Sequence, residues 1–122
     1  MHQTMQAYWQ DSHNIVESTH PKNLTLIEAL DRWADISGAA GNFFGLIDAD
    51  ENTMQFYFED SIPDDVDDAS HLEIVLVDFP LPSLGGSYQK MLTFGATPDW
   101  IKRGFEVGLN HEQYEDLLFA KW

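Results

Sequence analysis

The segments FFGLI (43–47), DADEN (48–52) and TMQFYF (53–58) decide the fold. Two apolar runs flank a polar turn. In the second run, Met54, Phe56 and Phe58 alternate with polar residues and Tyr57, as in a strand with one buried face. The stretch therefore predicts a β-hairpin whose apolar face packs against a helix.

A helix is predicted immediately before this hairpin. Thr25-Leu26-Ile27-Glu28 fits a capping box, in which the Thr25 hydroxyl and the Glu28 carboxylate bond each other's backbone amides. Apolar residues then recur at helical spacing as far as Trp33. Ser37-Gly38 supplies the stop, since glycine tolerates the left-handed conformation that ends a helix.

Further elements are predicted on both sides of this unit. The β-branched run 72–79 predicts a central strand that Pro80 ends, and residues 88–94 predict another strand. A helix is expected over 97–108 and a second from Asn110. Residues 1–22 sustain no period and predict a short helix or an early strand. The expected fold class is α+β: one domain over 1–122, with an antiparallel sheet of about four strands and helices before and after it.

Charge is the strongest feature of the composition. The chain has 21 Asp and Glu against 6 Lys and Arg, a net charge of −15. Such a charge repels nucleic acid and anionic lipid and attracts cationic surfaces, so the expected partner is a basic protein and direct nucleic-acid or membrane binding is disfavoured. The longest apolar run, 74–81, is too short to span a bilayer. With no cysteine and no signal-peptide pattern, we expect a cytoplasmic protein.

Six of these carboxylates fall in the ten residues 59–68, which we call the acidic loop. We expect this loop to be the centre of a partner-binding surface, with one aromatic and one apolar residue as anchors. The candidate partner-binding residues are Glu59, Asp60, Asp64, Asp65, Asp67, Asp68, Tyr57 and Ile62. Tyr88, Trp100 and Trp122 are further aromatic residues, any of which would be an anchor if it is exposed beside carboxylates.

The templates for catalysis and metal binding fit poorly. Asp48, Asp50, Asn52 and Glu59 have the spacing of calcium-loop ligands, but Thr53 occupies the position that needs glycine, and strands replace the flanking helices. No phosphate-binding loop or nucleophile elbow is present. We therefore expect no catalytic residues, no metal, no cofactor and no enzymatic activity.

A family resemblance points the same way. The segments GNFFGLID (41–48), Gln55-Phe56, VDFP (77–80) and Gly86-Ser87-Tyr88 resemble the small acidic immunity proteins of bacterial polymorphic and contact-dependent toxin systems. The resemblance covers about residues 25–90. It implies a non-enzymatic protein that binds and blocks a cognate toxin, often a nuclease.

The leading hypothesis is thus a cytoplasmic inhibitor whose acidic surface neutralises a basic protein, such as a toxin. One alternative is a nucleic-acid mimic that blocks a DNA- or RNA-binding machine through the same electrostatics. Another is a metal-dependent hydrolase that uses Asp48, Asp50 and Glu59, and a third is a structural subunit whose acid only solubilises it. The sequence leaves the oligomeric state open.

Overall fold

The structure is a computed structural model, and it describes residues 3–12, 14–63 and 65–122. In this part of the chain, eight strands form one antiparallel sheet and two α-helices pack on one of its faces. The strands are β1 (Thr4–Asp11), β2 (Asn14–Val16), β3 (Lys22–Thr25), β4 (Phe43–Ile47), β5 (Thr53–Phe58), β6 (Val75–Leu81), β7 (Gly86–Leu92) and β8 (Leu118–Lys121). The helices are α1 (Leu26–Asp35) and α2 (Thr97–Val107).

The strand order is β2-β1-β4-β5-β6-β7-β8, with β3 beside β2 on the same edge of β1. One edge of β1 is shared, because its residues 4–7 pair with β3 and its residues 9–11 pair with β2. The other edge pairs with β4. Every neighbouring pair is antiparallel, so cross-strand partners share a face of the sheet.

The core lies between the helices and one sheet face. Trp33 on α1 stacks on Phe58, with ring centroids 5.0 Å apart and planes 5° apart, and also contacts Phe44 and Phe56. From α2, Gly104 lies against Met54. Two layers of secondary structure therefore bury one apolar face each, which suffices for a chain of this size.

Several local predictions are confirmed. The hairpin strands span 43–47 and 53–58, as the alternation indicated. The capping box is present, since the Thr25 hydroxyl accepts from the Glu28 amide at 3.2 Å and the Glu28 carboxylate accepts from the Thr25 amide at 2.9 Å. The predicted helix over 97–108 is α2.

The predicted sheet of about four strands is wrong, because the described chain is mostly sheet. Three strands, β1, β2 and β3, precede α1. The helices also do not bracket the sheet, since α1 follows β3 and α2 precedes β8. On β1, Tyr8 is buried along with Trp9 and Ala7, so both faces are apolar there and the period-2 pattern is lost.

Other predicted boundaries are also wrong. Strand β6 begins at Val75 instead of residue 72, and it does not end at Pro80 but continues to Leu81. Pairing with β5 stops at Asp78, so β6 is paired only with β7 at Pro80, where a missing amide donor is tolerated. The helix expected from Asn110 is a single 3₁₀ turn, and residues 118–121 instead pair with β7 as an edge strand.

Neither helix has the length and apolar composition needed to cross a membrane, as far as the described residues extend.

The contact between Gly45 and Tyr8 gives a test of the sheet. Gly45 pairs with Tyr8, whose ring lies where a Cβ on residue 45 would be. Gly45→Ala should lower the free energy of unfolding by about 1–3 kcal/mol through overpacking. The double variant with Tyr8→Ala should lose much less free energy of unfolding than the sum of the two single variants, because the clash is gone. Urea denaturation measures the cycle, and additive effects would contradict this contact.

Candidate binding site on the acidic loop and the open sheet face

The acidic loop belongs to the connection from β5 to β6, residues 59–74, and its first half is fixed to the connection between α1 and β4. The Ile62 amide donates to the Gly38 carbonyl at 3.0 Å, and the Ala40 amide donates to the Ser61 hydroxyl at 3.1 Å. The Ile62 side chain lies against Gly38, where a Cβ would come within 2.7 Å of it. Ile62, predicted to contact a partner, thus packs inward and holds the loop.

The second half of the connection is fixed to the segment between β7 and α2. The amides of Phe94 and Gly95 donate to the carbonyls of Leu72 and Ser70, both at 3.0 Å. The Ser70 amide in turn donates to the Asp68 carboxylate at 2.9 Å. The loop is therefore tied to the body of the protein at both ends.

The predicted acidic residues stay on the surface. Glu59, Asp60, Asp65, Asp67 and Asp68 are all exposed. None of them takes part in the one side-chain ion pair found in the described part of the chain, which joins Lys90 and Asp116 at 3.8 Å. Asp64 lies outside the described residues.

One of these carboxylates is held in its ionised form. Hydrogen bonds from the Ser70 hydroxyl and amide, with a smaller contribution from His71, lower the pKa of Asp68. The side chain is nonetheless fully open to solvent. Asp68 is thus charged and oriented without being covered.

The residues of the predicted hydrolase alternative are not brought together. Asp48 and Asp50 lie in the turn before β5, whereas Glu59 follows β5, a strand of six residues that spans about 20 Å. Asp48 is also used by the fold. Its two carboxylate oxygens accept four hydrogen bonds, from the amides of Asp50, Asn52 and Leu109 at 2.9 Å and from the Asn52 side chain at 3.1 Å. Asp48 therefore ties the hairpin turn to the segment after α2.

More generally, the described residues contain no group of three or more His, Asp or Glu side chains arranged to hold a metal ion.

The second surface is the sheet face opposite the helices, which we call the open face. Its central row runs across the sheet from β1 to β8, because the residues of the row are cross-strand partners. The row is Tyr8, Gly45, Gln55, Asp78, Gln89 and Leu118. The next row, nearer the acidic loop, contains Phe43, Tyr57, Leu76 and Met91.

The open face is almost uncharged. Charged residues make up 22% of the whole chain, yet the register leaves Asp78 as the single one on this face among the described strand residues. The other positions are Gln, Thr, Asn, Ser, aromatic and aliphatic residues. Depletion of charge with aromatic and Met side chains is typical of the centre of a protein interface.

Asp78 is buried at the middle of this face. Its relative exposure is 9%, and its Oδ1 atom has no hydrogen-bond partner among the described residues. Burial raises the pKa of Asp78, and a hydrogen bond from Ser87 opposes that shift. The carboxylate is thus held in a site that stabilises its charge poorly.

Two phenols lie near this carboxylate. Tyr8 donates a hydrogen bond to the Gln55 side chain, and Tyr57 packs against Phe43 with ring centroids 5.5 Å apart. Burial raises the pKa of both tyrosines, and the charge of Asp78 adds to this shift. Both phenols therefore remain protonated at neutral pH. Tyr57, a predicted anchor, lies half-buried on the open face.

The exposed ring of Trp122 lies at the rim of the open face. Its indole N–H donates to the Ser87 hydroxyl at 2.9 Å, which fixes the last residue of the chain against β7. Trp122 remains 65% exposed. By contrast, Tyr88 and Trp100 stack on His111 and Tyr114.

Sequence reasoning did not select Asp78. The signal was a lone carboxylate inside the apolar run 74–81, which interrupts an otherwise apolar strand. A buried acid in a central strand needs a partner or destabilises the fold.

Comparison with protein-family models, curated proteins and solved structures finds no match to the chain.

The structural role of Asp48 can be tested against Asp50. Asp48→Ala removes the acceptor of four hydrogen bonds and should lower the free energy of unfolding by about 2–4 kcal/mol. Asp50→Ala removes an exposed carboxylate from the same turn and should change it by less than about 0.5 kcal/mol. Chemical denaturation without added metal compares them. Equal small effects would show that the Asp48 hydrogen bonds contribute little.

Asp78→Asn should make the protein more stable at neutral pH, by roughly 1 kcal/mol for a poorly satisfied buried group. The raised pKa means that the folded state binds the Asp78 proton more tightly than the unfolded chain. The wild-type free energy of unfolding therefore falls as pH rises from about 4 through the folded pKa. The variant lacks this loss, so the free energies of unfolding of wild type and variant, plotted against pH, should diverge over this pH range.

Thermal unfolding between pH 4 and pH 8 measures the difference. The titratable groups near Asp78 are Tyr8 and Tyr57, which stay neutral over this range. The control is Glu73→Gln, which removes the charge of an exposed side chain in the β5–β6 connection and should leave the free energy of unfolding unchanged. An Asp78→Asn variant that is less stable at pH 7 would disprove the account of Asp78.

Proposed function

We propose that the protein is a cytoplasmic, non-enzymatic inhibitor that binds a basic protein, most simply a cognate toxin, through the acidic loop. The observation that carries this proposal is the exposure of the loop carboxylates. Glu59, Asp60, Asp65, Asp67 and Asp68 are on the surface, and the ion pair in the described part of the chain involves none of them. The electrostatic field of these carboxylates therefore extends into the solvent, where it can act on a partner.

The attachment of the loop supports the same function. Hydrogen bonds at Ile62 and Ala40 on one side, and at Phe94 and Gly95 on the other, hold the chain that bears these charges. A pre-ordered surface loses little conformational entropy when it binds. The loop is thus suited to meet a rigid basic groove.

Electrostatics of this kind act mainly on the rate of encounter. The net charge of −15 attracts a basic protein over distances of the order of the Debye length, about 8 Å at physiological salt. Association rates of attracted pairs rise by factors of about 10 to 1,000 at low salt and fall steeply with ionic strength. Binding energy then comes from a few desolvated contacts at the centre of the interface.

The test replaces five loop aspartates, at positions 60, 64, 65, 67 and 68, with asparagine. The partner to be tested is any toxin domain that is encoded beside this gene, carrying a substitution that abolishes its activity. At low salt the variant should associate about tenfold more slowly or worse, and the difference should shrink at high salt. Stopped-flow or surface-based kinetics at two salt concentrations provide the measurement.

A matched variant distinguishes the effect of the charges' position in the loop from the effect of the net charge alone. Neutralising Glu17, Asp31, Glu106, Glu112 and Glu115, which are exposed elsewhere, removes the same number of charges. If both variants slow association equally, the loop has no special role. If no adjacent toxin domain binds but the protein competes with duplex DNA for a DNA-binding protein, the nucleic-acid mimic replaces the inhibitor.

A further inference from the structure

The open face carries a buried carboxylate that could bind a partner and that is not part of the acidic loop. Asp78 is nine-tenths buried, has an unpaired Oδ1 atom among the described residues, and is the single charge of the face there. Tyr57 is a diagonal neighbour of Asp78 in the register, a separation of about 7–8 Å that long side chains bridge. The arrangement is a carboxylate acceptor beside an aromatic ring in an uncharged surround.

We propose that the open face binds an arginine side chain of a basic protein, with the guanidinium on the Asp78 carboxylate and against the ring of Tyr57. This inference rests on the proposed function only for the basic character of the partner. It concerns a surface separate from the acidic loop.

Charge complementarity selects this occupant. A guanidinium is planar and weakly hydrated, donates to carboxylates and stacks on aromatic rings, whereas the ammonium of lysine is strongly hydrated and loses more on burial. A metal ion would need further ligands, and the described residues offer no such group. A neutral ligand would leave the buried charge uncompensated.

A second copy of this chain fits the open face poorly. Two-fold pairing through this face would bring two Asp78 carboxylates into one interface and two chains of net charge −15 together. Like charges placed across an interface disfavour association. A basic partner has the opposite electrostatics.

Access to Asp78 requires a small side-chain movement. Gln55 and Gln89 flank Asp78 in the central row, and both are half-buried. An arginine that reaches Oδ1 displaces one of these flexible side chains. Their side-chain amide signals therefore report on occupation of the site, together with the rings of Tyr8 and Tyr57.

The test uses N-acetyl-L-arginine amide as the probe and N-acetyl-L-citrulline amide as its uncharged match. In NMR titrations, the arginine probe should shift the signals of Gln55, Gln89 and Tyr57 in a saturable way. The citrulline probe should bind about tenfold more weakly, as expected for loss of one charge-assisted hydrogen bond. Asp78→Asn should bind the arginine probe as weakly as the wild type binds citrulline.

Three results of the titrations would overturn the inference. They are equal binding of both probes, unchanged binding by Asp78→Asn, and arginine-induced shifts confined to residues 59–73. A wild-type dimer in sedimentation that buries the open face would also overturn it. The five-aspartate loop variant should retain the response, so a failed site at Asp78 is distinguishable from a failed role of the loop. If the probe binds but no basic protein does, the proposed function fails and the arginine site stands.

Discussion

The packing of Trp33 against Phe44, Phe56 and Phe58 is the contact on which the rest of the structure depends. It commits α1 to one face of the sheet, and α2 lies on the same face. Side chains alternate along a strand, so the two neighbours of every strand residue that faces Trp33 point to the opposite face of the sheet. An antiparallel sheet can leave that side without a second layer. The open face is thus a direct consequence of where the helices pack.

The charges divide according to this arrangement. Apart from Asp11 at the end of β1, the described acidic residues outside the open face lie in the loops and on the outer surfaces of the helices, and the open face has a single one in the described strands. The two surfaces meet at the row of Tyr57 and Leu76, because β5 leads from that row into the acidic loop and β6 returns from it. A strong field and an uncharged contact surface therefore adjoin. A basic partner drawn to the loop would encounter the open face next to it.

The sequence predicted what local rules determine. The hairpin 43–58 follows from alternation and has the expected bounds, and α1 begins at its capping box as predicted. The predicted left-handed stop at Gly38 is wrong, because α1 ends at Asp35 with an extended cap residue, Ile36. For β1 the sequence left a short helix and a strand open, because Tyr8 is buried over Gly45, a contact between residues far apart in sequence that no local pattern shows. Strand β8 was missed because four residues with a preceding cap signal resemble a helix start, and only pairing with β7 decides otherwise. The exposed acids of the loop followed from composition, but the open face needed the complete register.

Asp48 and Asp78 are both carboxylates that are at least partly buried, but they require different explanations. Asp48 accepts four hydrogen bonds and holds two segments together, so the fold accounts for it fully. Asp78 does not serve the fold in this way, since it has one hydrogen bond, from Ser87, and its Oδ1 atom has no partner among the described residues. A neutral residue between Val77 and Phe79 would satisfy the strand at lower cost. Where local rules are broken without a structural gain, binding is the usual reason. Under the proposed function, the buried acid and the exposed loop are two features that each favour a cationic partner.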